Sequence, residues 1–121
     1  MKLKKFENDR RFKRGTASVY MNKKGLLNFS SEFVRQTGLE PGQKVNFYQD
    51  EKEPRDWYLQ TDPHGDFELY QTSGLKSLKL NSVALCEAIT KSVGAELPIS
   101  FKMAVEPTEP GLYAILTTIK L

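Results

Sequence analysis

The chain has 121 residues, 39% of them hydrophobic and 27% charged, with one cysteine, one histidine and a formal net charge of +3. That balance suits one globular domain with a modest core, and no apolar run approaches the roughly 20 residues that a membrane-crossing helix needs. Cys86 alone excludes an internal disulfide, and His64 without a cysteine cluster excludes a zinc-finger centre.

Residues 1–15 hold few apolar side chains beyond Met1, Leu3, Phe6 and Phe12, too little periodicity for a packed element, and are expected to be a mobile basic arm. Up to residue 14 seven basic residues face two acidic ones, a net of +5, whereas the rest of the chain nets −2. Concentrated positive charge attracts phosphates at long range, so Lys4, Lys5, Arg10, Arg11, Lys13 and Arg14 are candidate nucleic-acid contacts. No apolar segment of the secretory kind follows these basic residues, and a cytoplasmic location is expected.

Ala17, Val19 and Met21 alternate with Ser18, Tyr20 and Asn22, the period of a half-buried strand. Asn22-Lys23-Lys24-Gly25 reads as a turn, which makes 17–29 a hairpin. Ser30 or Ser31 caps a helix whose inward face is Phe33 and Val34 and whose stop signal is Gly38. After the Glu40-Pro41-Gly42-Gln43 turn, Val45 and Phe47 continue as a strand, Asp50 to Asp56 forms an exposed acidic loop, and Trp57 to Thr61 returns. Asp62 to Asp66 is a turn, Phe67 and Leu69 with Gln71 suggest an alternating strand, and Thr72-Ser73-Gly74 is the expected joint between two halves, 16–71 and 72–121.

The second half repeats the order of parts. Leu78 and Leu80 lead to Asn81 and Ser82, and a helix from Val83 stops at Gly94, with Val83, Ala84, Ile89 and Val93 on an apolar face that Leu85 and Cys86 broaden. Pro98 opens a strand through Ile99 and Phe101, Pro107 and Pro110-Gly111 shape a hairpin loop, and Tyr113 to Leu121 closes the sheet. Each half is near the size at which an isolated core becomes marginal, so the two are expected to enclose one core. The fold class expected is α+β, β-rich, with two related strand-helix-hairpin halves forming one swapped-hairpin or barrel-like domain.

The stretch from Tyr20 to Phe47 resembles the swapped-hairpin barrel unit of the AbrB-like and MazE-like DNA-binding families. The likeness lies in Gly25 at the first turn, the apolar strand ending at Phe29, Arg35 late in a short helix, and Gly38-Leu39 followed by Gly42. In that family two units exchange hairpins to complete one barrel, usually across a dimer, and MraZ-like proteins carry two units in one chain. The resemblance implies that 75–121 is a second, diverged unit and that basic side chains of the first hairpin and helix hold DNA, here Lys23, Lys24 and Arg35. Leu26 stands where the family often has arginine, Ser30 where it often has proline, and the second copy has no equivalent of Arg35.

The function expected from these features is DNA binding of a transcriptional-regulator type, as a monomer or homodimer without cofactor or membrane. Duplex DNA is favoured through phosphate contacts. A single-stranded variant would use Tyr20, Tyr48, Tyr58 and Tyr70 as base-stacking surfaces. The alternative is a protein-interaction or antitoxin-like module whose partner meets the acidic loop Asp50–Asp56. An enzyme is not expected: Asp62 and Asp66 flank His64 in an ordinary turn composition, and the carboxylates of Asp50, Glu51 and Glu53 lie on a solvated loop that gives them no distinct acid and base roles.

Overall fold

The computed structural model describes residues 16–120. The elements follow in the order β1 (Ser18–Met21), β2 (Leu26–Phe29), α1 (Ser31–Thr37), β3 (Lys44–Gln49), β4 (Trp57–Thr61), β5 (Phe67–Glu68), β6 (Leu78–Asn81), α2 (Val83–Val93), β7 (Ile99–Met103) and β8 (Leu112–Lys120). The strands form one antiparallel sheet in the order β5-β3-β4-β8-β7-β1-β2-β6. Just past β5, Tyr70 and Lys79 of β6 exchange both backbone hydrogen bonds at 2.9 Å, joining the two edges of the sheet. The result is a mixed α+β, strand-rich fold around a nearly closed, barrel-like sheet.

Alternation of side chains along each strand selects the inner face. Val19, Met21, Leu27, Phe29, Val45, Leu59, Leu78, Leu80, Phe101, Met103 and Ile115 all point inward and are buried. Removing a Leu, Val or Phe side chain from water contributes about 1.5–3 kcal/mol, so this inner layer is the main stabilising term of the fold. Strands from 16–71 pair with strands from 72–121 at β1–β7, β2–β6 and β4–β8, and the inner side chains of both segments form one cluster.

Two short helices pack against the core where strands end. In α1 the hydroxyl of Ser30 accepts from the Phe33 N–H, and the chain leaves the helix at Gly38 with φ +75°. Phe33 touches Phe29 and Tyr113, each with ring centroids 5.7 Å apart. In α2 the hydroxyl of Ser82 accepts from the Leu85 N–H, and Gly94 ends the helix at φ +69°. The Trp57 indole N–H donates to Ser92 Oγ at 2.8 Å, tying α2 to the start of β4.

Two expectations need correction. The strand expected through Phe67, Leu69 and Gln71 is only two residues long as a strand proper, because the chain changes partner there: Leu69 bonds the β3 side at Gln43, whereas Tyr70 bonds β6. The buried stripe of α2 is Leu85, Cys86, Ile89, Thr90 and Val93, while Val83 and Ala84 are exposed. Val83 lies in the first turn, over the β1–β2 turn instead of the core, and Ala84 shares the outer side with Ala88. None of the described helices is long and apolar enough to cross a membrane.

Gly25 couples the first hairpin to α2. It has φ +93°, its carbonyl accepts from Ser82 N–H at 2.7 Å, and a Cβ there would lie 2.7 Å from the Val83 backbone nitrogen. Gly25→Ala therefore combines a left-handed backbone with a clash against backbone atoms and is expected to cost about 2–3 kcal/mol. Gly74→Ala, at φ +82° with open space around it, should cost about 1 kcal/mol. Urea unfolding of the two variants checks the ordering.

Candidate nucleic-acid interface

Asn22 builds the turn that presents the first pair of lysines. Its Oδ1 accepts from Lys24 N–H at 3.0 Å and Leu26 N–H at 3.1 Å, and its carbonyl accepts from Gly25 N–H at 3.1 Å. With the backbone so occupied, Lys23 and Lys24 stand exposed at the tip. Arg35 is elsewhere. It lies in α1 at the other end of β2, separated from the turn by four strand residues, about 13 Å of chain.

The Arg35 guanidinium forms a two-pronged pair with Glu32, whose Oε1 also accepts from Gln36 Nε2 at 2.7 Å. The hydrogen bond and charge of Glu32 push the Arg35 pKa further up, and the arginine side chain remains 70% exposed. Arg35 borders a cleft of about 600 Å³ between α1 and the β5–β6 connection, with Lys76 on the same cleft. Lys23 and Lys24 on one side and Arg35 on the other thus do not converge on one point. Lys4, Lys5, Arg10, Arg11, Lys13 and Arg14, with the whole expected arm, lie outside the described residues.

Another set of side chains does converge. Outward positions of β7, β1, β2 and β6 are Ser100 and Lys102, Ser18 and Tyr20, Leu26 and Asn28, and Lys79 and Asn81. Register aligns Ser100, Tyr20, Asn28, Lys79 and Tyr70 in one row across the sheet. Tyr20 is 38% exposed and Tyr70 40%, with Tyr70 Oη accepting from Asn81 Nδ2 at 2.8 Å. The four strands carry two lysines and no carboxylate on this face. Lys79 Nζ donates to Thr72 Oγ1 at 3.0 Å, and neither Lys79 nor Lys102 has an ion-pair partner among the described residues. Sequence reasoning missed both lysines. Their alternation with Leu78 and Leu80, and with Phe101 and Met103, marks them as outward, but alternation does not reveal that β6 and β7 flank the first hairpin.

Across the barrel, the β3–β4 connection carries four carboxylates, Asp50, Glu51, Glu53 and Asp56, against two basic residues, Lys52 and Arg55. Asp50 Oδ1 accepts from Lys52 and Glu53 N–H groups, folding the β3–β4 connection with Glu51 and Glu53 exposed. Tyr48 and Tyr58 face each other across β3 and β4 close to this loop. At the next turn Asp62 accepts from His64 N–H at 2.8 Å and from Asn46 Nδ2 at 3.2 Å. Its carboxylate is occupied in shaping the turn. Among the described residues no three His, Cys, Asp or Glu side chains group as metal ligands.

Cys86 is fully buried on α2, its Sγ 3.7 Å from the Leu26 carbonyl. Burial pushes the thiol up to about 11, against a partial opposing effect of a backbone hydrogen bond from Asn22 and with a small upward push from Glu87. A protonated, buried thiol is a poor nucleophile. No protein-family model, curated protein or solved structure matches this chain.

Two outcomes follow from this geometry. The folded Cys86 thiol keeps its proton where the unfolded one, near 9, loses it, so stability is intact below pH 9 and falls as pH rises towards about 11. Cys86→Ala should flatten that fall in urea midpoints measured between pH 8 and 11, and native labelling by a thiol reagent at pH 8 should be slow. Asn28 Oδ1 is buried without a partner among the described residues, and an unsatisfied acceptor costs about 1–3 kcal/mol. Asn28→Val, which suits a strand, is expected to raise the urea midpoint.

Proposed function

We propose that this chain is a DNA-binding protein of the transcriptional-regulator type, built as a swapped-hairpin barrel of two related halves. Strand order supports the two-half architecture, and the concentration of basic residues supports DNA binding. Exchanging β1 with β5, β2 with β6, β3 with β7 and β4 with β8 returns the same ring of neighbours, when the Tyr70–Lys79 bridge is counted as its closing pair.

Registers at the two self-paired contacts agree with this exchange. Leu27 faces Leu80 and Phe29 faces Leu78, while Trp57 faces Ile115 and Leu59 faces Tyr113. In each case a residue opposes the counterpart of its neighbour two positions away, as a local two-fold axis requires. Both helices begin with a serine cap and end in a left-handed glycine. These features support kinship with the AbrB-like and MazE-like unit that Tyr20 to Phe47 resembles.

DNA binding follows from charge rather than from the fold, which alone assigns no function. The basic arm supplies Lys4, Lys5, Arg10, Arg11, Lys13 and Arg14, and the first hairpin supplies Lys23 and Lys24 on a turn held against α2. Each phosphate neutralised releases condensed counterions, so affinity for duplex DNA should fall steeply with salt. Lys76 and Arg35, the latter paired with Glu32, border a second edge at α1. The competing reading is a protein-interaction module that uses the exposed Glu51 and Glu53 of the β3–β4 connection.

Titration of labelled duplex DNA over a salt series tests the reading. Replacing Arg10, Arg11, Lys13 and Arg14 together with alanine should weaken binding and reduce the magnitude of the log–log salt slope by up to about 0.9 for each phosphate that is no longer neutralised. Absence of binding to duplex and to single-stranded DNA by the parent protein at low salt overturns the assignment in favour of the protein-partner module.

A further inference from the structure

We propose that the outward face of β7, β1, β2 and β6 is a platform for single-stranded nucleic acid, with unpaired bases stacked on Tyr20 and Tyr70 and the backbone held by Lys79 and Lys102. This rests on the nucleic-acid reading above and adds to its duplex contacts a second strand state and a surface that the reading does not name. Tyr20 and Tyr70 end a row in which Asn28 and Lys79 lie between them, three strand spacings or about 14 Å apart. Both rings are more than one-third exposed, and the hydrogen bond from Asn81 fixes the hydroxyl end of Tyr70 over the sheet. A sheet that displays separated aromatic rings is a form suited to splayed bases, because each base has a π face that any tyrosine can meet.

Lys79 stands within the row, and Lys102 lies across from Ser18, two residues along β7 and β1 on the same face. No carboxylate shares the outward positions of these four strands. Glu68, close to Tyr70 in sequence, stands opposite Lys44 on β3. Lys23 and Lys24 extend the positive potential beyond the end of β1. A phosphodiester chain thus meets attraction along the row without a desolvated like charge.

The remaining tyrosines define the limits of the platform. Tyr48 and Tyr58 oppose each other across β3 and β4, beside a connection in which four carboxylates outnumber Lys52 and Arg55, a less favourable setting for a phosphate than the lysine-bearing row. Duplex DNA cannot use Tyr20 and Tyr70 in this way, since its base faces are covered by their own neighbours in the stack. The tyrosines therefore separate single-strand from duplex affinity, whereas the lysines contribute to both.

Fluorescence anisotropy of the full chain with labelled oligothymidylate, oligouridylate and a duplex tests the platform. Tyr20→Ala and Tyr70→Ala should each weaken oligothymidylate binding by about 5- to 150-fold and leave duplex affinity within about twofold. Tyr20→Phe, which keeps the ring, should bind within about twofold of the parent, and Tyr48→Ala should bind like the parent. Equal weakening of the uridylate complex assigns the site to single strands of either sugar; a loss limited to thymidylate assigns it to DNA strands. Unchanged single-strand affinity in both alanine variants, or equal losses on duplex and single strand, overturns the platform. A parent that binds duplex but neither oligonucleotide also overturns it and leaves the DNA-binding reading standing; a parent that binds none of the three overturns both.

Discussion

Val19 and Met21 reach a dry interior because β1 is bonded on one side to β2, its partner in the first hairpin, and on the other to β7, near the far end of the chain. A two-stranded hairpin is marginal in water and leaves half of its apolar face uncovered. Pairing of β1 with β7, β2 with β6 and β4 with β8 removes that exposure for both segments together. The Tyr70–Lys79 bridge then joins the outer strands, which limits the unpaired edge that an open sheet would present.

The helices depend on the same arrangement. α1 is only seven residues long and would not persist alone; its serine cap and the contact of Phe33 with Phe29 and Tyr113 hold it in place. α2 is held at its start by the bond from Ser82 to Gly25 and near its end by Trp57 and Ser92. The turn bearing Lys23 and Lys24 is therefore fixed by α2, not by the hairpin alone. A substitution at Gly25 acts on both elements.

Charge is distributed unevenly around this scaffold. Lys79, Lys102, Tyr20 and Tyr70 occupy the side built from β7, β1, β2 and β6, and the carboxylates of the β3–β4 connection occupy another. The small net charge conceals this separation, since opposite signs cancel in a sum but not in a field near the surface. The tyrosines divide in the same way, with the exposed Tyr48 and the half-buried Tyr58 beside the β3–β4 connection.

Local chemistry was readable directly from the residues. Alternation gave β1, the Asn22 to Gly25 turn gave its hairpin partner β2, and serine caps and terminal glycines gave both helix positions, because each signal is complete within a few neighbouring residues. The shortness of β5, the turning of Val83 and Ala84 away from the core, and the juxtaposition of Lys79 and Lys102 with the first hairpin were not readable. Each depends on which strand edge meets which, a choice made by the total apolar area enclosed and by backbone groups distant in the chain. Periodicity says which side of a strand faces inward; only closure of the sheet assigns the neighbours that share its outer side.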